Sequence, residues 1–219
     1  MSAVRGLMCL LAGLSSLAGL QSALAQQAYP ARAVRFIVPF PPGGSADPMA
    51  RMVAQKFAEK WAQPVVVDNR GGGNTVIGSE ALVKAAPDGH TLLLVGTTHV
   101  ANPSLLRQLP YDAVRDFDAV TTIARSRFLL AVNASLAAGS LAEFIALART
   151  REGQVSYASS GEGSGPHLSA VLFEMMTGAR LQHIPYKGGS QSVTDLLSGR
   201  VQAIFSNPVN VLAHVRSGK

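Results

Sequence analysis

The chain has 219 residues, a formal net charge of +6, a single cysteine and few aromatic residues. Its basic residues are scattered, which excludes the clustered Lys/Arg stripe of a nucleic-acid-binding face. A mild positive field instead attracts small anions.

The N-terminus reads as a secretory signal peptide over residues 1–25. Arg5 gives a positive start, an apolar stretch follows over 6–20, and Ala23-Leu24-Ala25 is a small-x-small cleavage pattern. The apolar stretch is too short to span a bilayer comfortably. Cys9 lies inside this segment, so the exported chain is expected to be free of cysteine and to rely on a buried core rather than disulfides.

Beyond the leader, strands and helices alternate. Residues 34–40 form an apolar strand, after which Asp47 is expected to N-cap a helix with Pro48 at its first position. Met49, Met52, Val53, Phe57 and Trp61 fall on one face of that helix. A strand over 64–68 leads through Gly71-Gly72-Gly73-Asn74 into a helix carrying Ile77, Ala81 and Ala85. Pro87-Asp88-Gly89 is a turn, and 91–96 is a continuous apolar strand of the kind buried on both faces.

Residues 102–112 are rich in turn formers and read as irregular. Strands are expected over 119–124 and 128–132, then a helix over 141–151 capped by Ser140. A strand over 155–158, a loop over 159–165 and a helix over 166–177 stopped by Gly178 follow. The chain continues as strand 181–185, helix 191–198, strand 201–205 and helix 208–216. This alternation predicts an α/β fold with mostly parallel sheets. The turn-rich segment divides it into two lobes, 26–119 and 120–219.

Ligands of open α/β sheets sit beyond the carboxyl ends of the strands, where helix starts offer unpaired N–H groups and a positive dipole end. Two loops have that design. One is Pro41-Pro42-Gly43-Gly44-Ser45-Ala46-Asp47, and the other runs from Ser159, Ser160 and Gly161 through Gly163 and Ser164 to His167. Glycine lets backbone approach an anion closely, so facing loops could hold a small carboxylate between them. Each loop could also be only a tight turn. Asp47 reads more readily as a cap than as a ligand contact, and His167 could donate to an anion or bond to backbone. Lys187, beside another strand end, could add charge or stand in solvent.

No Gly-x-Ser-x-Gly elbow, P-loop, dinucleotide fingerprint or zinc spacing is visible, so neither cofactor nor metal is expected. Ser160, His167 and Asp195 could be assembled into a nominal hydrolase triad, but the sequence does not bring them together.

The ordered motifs resemble the receptors of tripartite tricarboxylate transporters, the Bug family of extracytoplasmic solute-binding proteins. They begin with 39–47 (PFPPGGSAD) and continue with Asp68-Asn69-Arg70, 87–93 (PDGHTLL) and Leu109-Pro110-Tyr111-Asp112. Ser160-Gly161-Glu162-Gly163-Ser164, 183–189 (HIPYKGG) and 195–199 (DLLSG) complete the set. The loop Gly71-Gly72-Gly73-Asn74-Thr75 departs from the family, which usually carries Pro and Ala there. The resemblance implies a two-lobed, type II periplasmic binding protein that takes a small di- or tricarboxylate or an amino acid. It implies delivery to permease subunits in the membrane by a monomeric receptor that is no enzyme, with a sensor-kinase ligand carrier as the alternative on the same fold. It also implies ligand contacts from the backbone of Gly43, Gly44, Ser45, Ser160, Gly161, Gly163 and Ser164, often through waters. Family members run on past a Gly-Lys like Gly218-Lys219, so the sequence leads us to expect that the C-terminal part is missing and that the chain is marginally folded or aggregation-prone without it, with a non-functional truncated receptor as a further alternative.

Overall fold

The computed structural model describes residues 29–218; the expected leader lies outside them. Two sheets organise these residues. In the first, β1 (Val34–Val38) lies between β2 (Val65–Asn69) and β3 (Thr91–Leu93), all parallel. Central β1 is apolar and buried almost throughout, as a strand covered on both faces must be. Helix α1 (Ala46–Trp61) packs on this sheet through Ala46, Met49, Ala50, Val53 and Ala54, a helical stripe against Phe36, Val38 and Leu94.

That stripe corrects the expected face. Met49 and Val53 do meet the sheet, but Met52 is 63% exposed, and Ala50 and Ala54 are the fully packed positions because they let the helix lie close. Phe57 and Trp61 stack on each other at 4.4 Å, with Tyr29 edge-on to Trp61. The helix also begins before the expected cap. Ser45 is the residue preceding it, Asp47 N–H donates to Gly44 O at 3.3 Å, and Asp47 sits inside the first turn.

A 3₁₀ turn (Gly73–Thr75) leads into α2 (Val76–Val83), and α3 (Thr97–Leu105) follows β3. Helix α3 corrects the reading of 102–112 as wholly irregular. It holds Pro103 in its interior, two residues before its end, where few helical bonds remain to be disturbed. Asn102 is fully buried there, and its Nδ2 donates to Asn74 O at 2.9 Å while its Oδ1 accepts from Asn74 Nδ2 at 2.7 Å. Residues 119–124 form no strand either. They are exposed and pair with no neighbour among the described residues, so β-branched composition alone does not order them.

The second sheet has the order β4-β7-β5-β6, from β4 (Leu129–Val132), β5 (Ser156–Ser159), β6 (Gln182–Pro185) and β7 (Ala203–Ser206). β5 is parallel to β6 and β7, whereas β4 runs antiparallel to β7. Its strands alternate between two cores. Tyr157 and Phe205 pack with Phe144 of α4 (Leu141–Thr150) and Ala170 of α5 (Gly165–Thr177). Ala158 and Ile204 face the other way, onto Val193 and Leu196 of α6 (Gly189–Leu197) and Val211 of α7 (Pro208–Arg216). Ser140 caps α4, its Oγ accepting from Glu143 N at 3.2 Å, while Glu143 takes the Gly139 amide at 2.7 Å. Among the described residues no helix is long and apolar enough to cross a membrane.

Candidate functional site

The carboxyl ends of β1, β3, β5, β6 and β7 open on one cleft between the sheets, of about 660 Å³. Each strand feeds a helix, and the residues that precede α1, α3, α5, α6 and α7 — Ser45, Gly96, Ser164, Gly188 and Asn207 — all line the cleft. Ser164 alone of the five caps its helix, its Oγ accepting from His167 N at 3.3 Å. The other four make no side-chain cap, so first-turn amides and the positive ends of four macrodipoles face the same space. No carboxylate is among the lining residues, and Arg125 is the one charged side chain there.

The first sequence-predicted loop divides by role. Gly43, Gly44 and Ser45 line the cleft, whereas Pro42 and Asp47 do not. Asp47 is buried, and its carboxylate ties the loop together. It accepts from Gly43 N at 3.3 Å and Asn69 Nδ2 at 3.1 Å and pairs with Arg51 at 3.1 Å. Burial pushes its pKa up, but the hydrogen bonds from Arg51, Asn69 and Gly43 outweigh that and hold it below the ordinary value. Asp47 therefore braces the loop from behind, and its carboxylate is turned to Gly43, Asn69 and Arg51 rather than into the cleft.

The second loop divides likewise. Ser159, Ser160 and Ser164 line the cleft; Gly161, Gly163 and His167 stand behind it. His167 Nδ1 accepts from Gly163 N at 3.1 Å, so the ring is bonded to the backbone of its own loop. Its ring stacks on His183 at 4.3 Å, and His183 Nε2 lies 2.7 Å from Ser159 Oγ. Ser159 Oγ also takes the Gly161 amide at 3.1 Å, so β5, β6 and the loop are locked together. Burial, with the neighbouring His167, lowers His183 to about 4. The nominal triad does not assemble. Asp195 receives Tyr186 OH at 2.7 Å and Arg200 Nη1 at 3.1 Å.

The two sheets touch around the cleft. Asn207 Nδ2 donates to Ser45 Oγ at 2.9 Å and Asn207 Oδ1 accepts from Ser126 Oγ at 2.6 Å. Gly161 abuts Asn74, Gly163 abuts Ala101 and Leu105, and Gly188 abuts Pro41. Lys187 is outside the lining, but its neighbours Gly188 and Gly189 are part of it.

Gly96, Asn207 and Arg125 were not singled out from sequence. Asn207 before Pro208 carried a readable cap-and-proline signal. Gly96 was hidden because the apolar run 91–96 reads as one strand. Arg125 gave no signal at all.

Residues 49–219 match the tripartite tricarboxylate transporter family receptor. The chain is 42% identical to BugT of Bordetella pertussis over 92% of its own length and 62% of that protein's. It resembles a solved Rhodopseudomonas palustris protein with adipate at 36% identity and a TM-score of 0.83, covering 87% of this chain and 64% of that one. It also resembles MatC of Rhodopseudomonas palustris with bound malate, at 29% identity and a TM-score of 0.79, over 87% and 65% of the respective chains. It thus spans less than two thirds of the length of these relatives. With a family match over most of its length, the chain belongs to the tripartite tricarboxylate transporter receptors.

Proposed function

We propose that this chain is a periplasmic receptor that binds a small carboxylate in the cleft and delivers it to membrane permease subunits. The observation that carries the reading is the convergence of five helix starts, four without a side-chain cap, on a cleft lined by no acid. Amides and dipole ends stabilise an anion without a matching cation. Two lobes, 26–119 and 120–219, would close over the ligand by hinge motion, and the Asn207–Ser45 bond would help hold them together. The ligand-facing groups in this reading are Gly43, Gly44 and Ser45 from one lobe and Ser159, Ser160 and Ser164 from the other. Pro42, Asp47, Gly161, Gly163 and His167 shape the loops that present them. In this reading the chemistry is recognition, which the match to a receptor family supports. The relatives solved with adipate and with malate support the ligand class.

A thermal-shift series with di- and tricarboxylates and acidic amino acids tests this. A ligand at about a hundred times its Kd adds about 2.7 kcal/mol to the native state. A cooperative melt that none of these anions moves would sink the receptor reading.

A further inference from the structure

We propose that Arg125 reads the charge on the second end of the ligand, so that the receptor selects dianionic acids over monoanionic acids of the same length. This rests on the carboxylate-receptor reading above. Arg125 is the one charged side chain among the lining residues, and no acid shares the cleft with it. Among the described residues it forms no ion pair, although ten other cation–carboxylate contacts are present. Among the described residues its guanidinium therefore has no carboxylate to give up when an anion arrives.

The segment that carries it is held by its neighbour. Ser126 Oγ donates to Asn207 Oδ1 at 2.6 Å, and Asn207 Nδ2 donates to Ser45 Oγ at 2.9 Å. This chain of bonds ties the segment carrying Arg125 to the starts of α7 and α1, one in each lobe. The helix starts supply neutral donors, which suffice for one carboxylate. A second carboxylate drawn into the cleft loses water and needs a countercharge. A guanidinium matches it with two parallel N–H donors. Between the two ends, Pro48, Met49, Met52, Val95, Phe128 and Val209 offer an apolar wall to the ligand's carbon skeleton.

Because Arg125 is exposed, solvent screens its charge and the expected discrimination is moderate. The test is calorimetric titration of the chain with dicarboxylates from succinate to suberate, each beside the monocarboxylate of equal length. Wild type, Arg125→Gln and Arg125→Lys are compared, with circular dichroism melts verifying that all three fold alike. Wild type is expected to prefer the diacid. Arg125→Gln should weaken the best diacid by about ten-fold and its monoacid by no more than about two-fold, and Arg125→Lys should keep part of the preference. Equal losses for both acids, or an unchanged diacid affinity, would overturn the proposal while leaving the receptor reading intact. If wild type binds none of these acids, the selection proposed for Arg125 is overturned, and the receptor reading is decided separately by the thermal-shift series with tricarboxylates and acidic amino acids.

Discussion

Replacing Gly163 by alanine tests whether the second cradle loop is also the seat of the opposite lobe. Gly163 has φ +67°, and a Cβ there would lie 2.4 Å from Leu105 Cδ1 and 2.9 Å from Ala101 Cβ. Two costs follow, and they differ in kind. The left-handed backbone costs an L-residue about 1–2 kcal/mol whether the lobes are open or closed. The steric contact exists only when α3 lies against the loop. Leu105 can swing its methyl aside, but Ala101 has no rotamer to change, so the helix and loop must part. Overpacking of this kind costs about 1–3 kcal/mol. Gly153 isolates the first cost, since it has φ +68° with nothing within 4 Å of its would-be Cβ. Gly153→Ala should therefore lower stability in urea titration and leave ligand affinity alone. Gly163→Ala should in addition weaken binding by about 5- to 150-fold, because its penalty falls on the closed state. Adding Ala101→Gly should recover part of that loss. Equal affinities for the two single variants would refute the idea that Gly163 sits at a lobe contact.

Four other outcomes are expected. His183 is depressed to about 4, chiefly by burial, so between the unfolded value near 6.5 and about 4 the unfolded chain binds the extra proton. Its contribution to stability should be complete above pH 6.5 and be lost as pH falls toward 4, and a His183 resonance titrating near 6.5 would contradict this. Asp47→Ala leaves the Gly43 amide without its acceptor and should cost about 1–3 kcal/mol, read by urea unfolding. The depressed Asp47 pKa adds stability above the unfolded aspartate value that is lost as pH drops through the folded one, so wild type alone should show that acid slope. Asn102→Ala removes both bonds to Asn74 from a fully buried position and should cost about 1–3 kcal/mol; an unchanged urea midpoint would deny those bonds. Met52→Glu places an acid on the acid-free lining at an exposed helix position, so stability should move by no more than about 0.5 kcal/mol. Anion affinity should nevertheless fall, more at low salt than at high, and a salt-independent affinity would count against a cleft whose field attracts anions.

The order of strands and helices is legible in this sequence wherever local chemistry agrees with the fold. The helix over 208–216 is readable because Pro208 suits a first turn, and the Pro208–Arg216 helix is the result. Ser140 with Glu143 is readable as a cap for the same reason. The failures come where tertiary contacts decide. The face of α1 is set by close approach to β1, which favours Ala50 and Ala54 over the larger Met52 and Phe57. The 119–124 segment has strand composition but no neighbour to pair with, and a strand is a relation between two segments. Pro103 argued for an irregular stretch, yet the helix that holds it is anchored by the buried Asn102–Asn74 pair, which no periodicity announces.

The same division runs through the site. Glycine and serine at a strand end advertise a backbone cradle, and both cradle loops were readable for that reason. The cleft, however, is lined by only part of each loop. Gly161 and Gly163 have their close approaches to the opposite lobe, not to the cleft, so the property that made them look like ligand contacts also suits a lobe–lobe contact. Sequence cannot separate a glycine that admits an anion from one that admits a neighbouring helix, because both demand an absent side chain. The separation requires the partner, which for Gly163 is Ala101, sixty-two residues earlier in the chain. Amide cradles bind whatever carboxylate reaches them, so they specify a chemical class and leave the choice of ligand to side chains. In this cleft those include the methionines of α1 and Arg125 of the connection before β4, and none of the three belongs to a motif. On the proposed reading, the residues most characteristic of the family therefore say least about which acid would be taken.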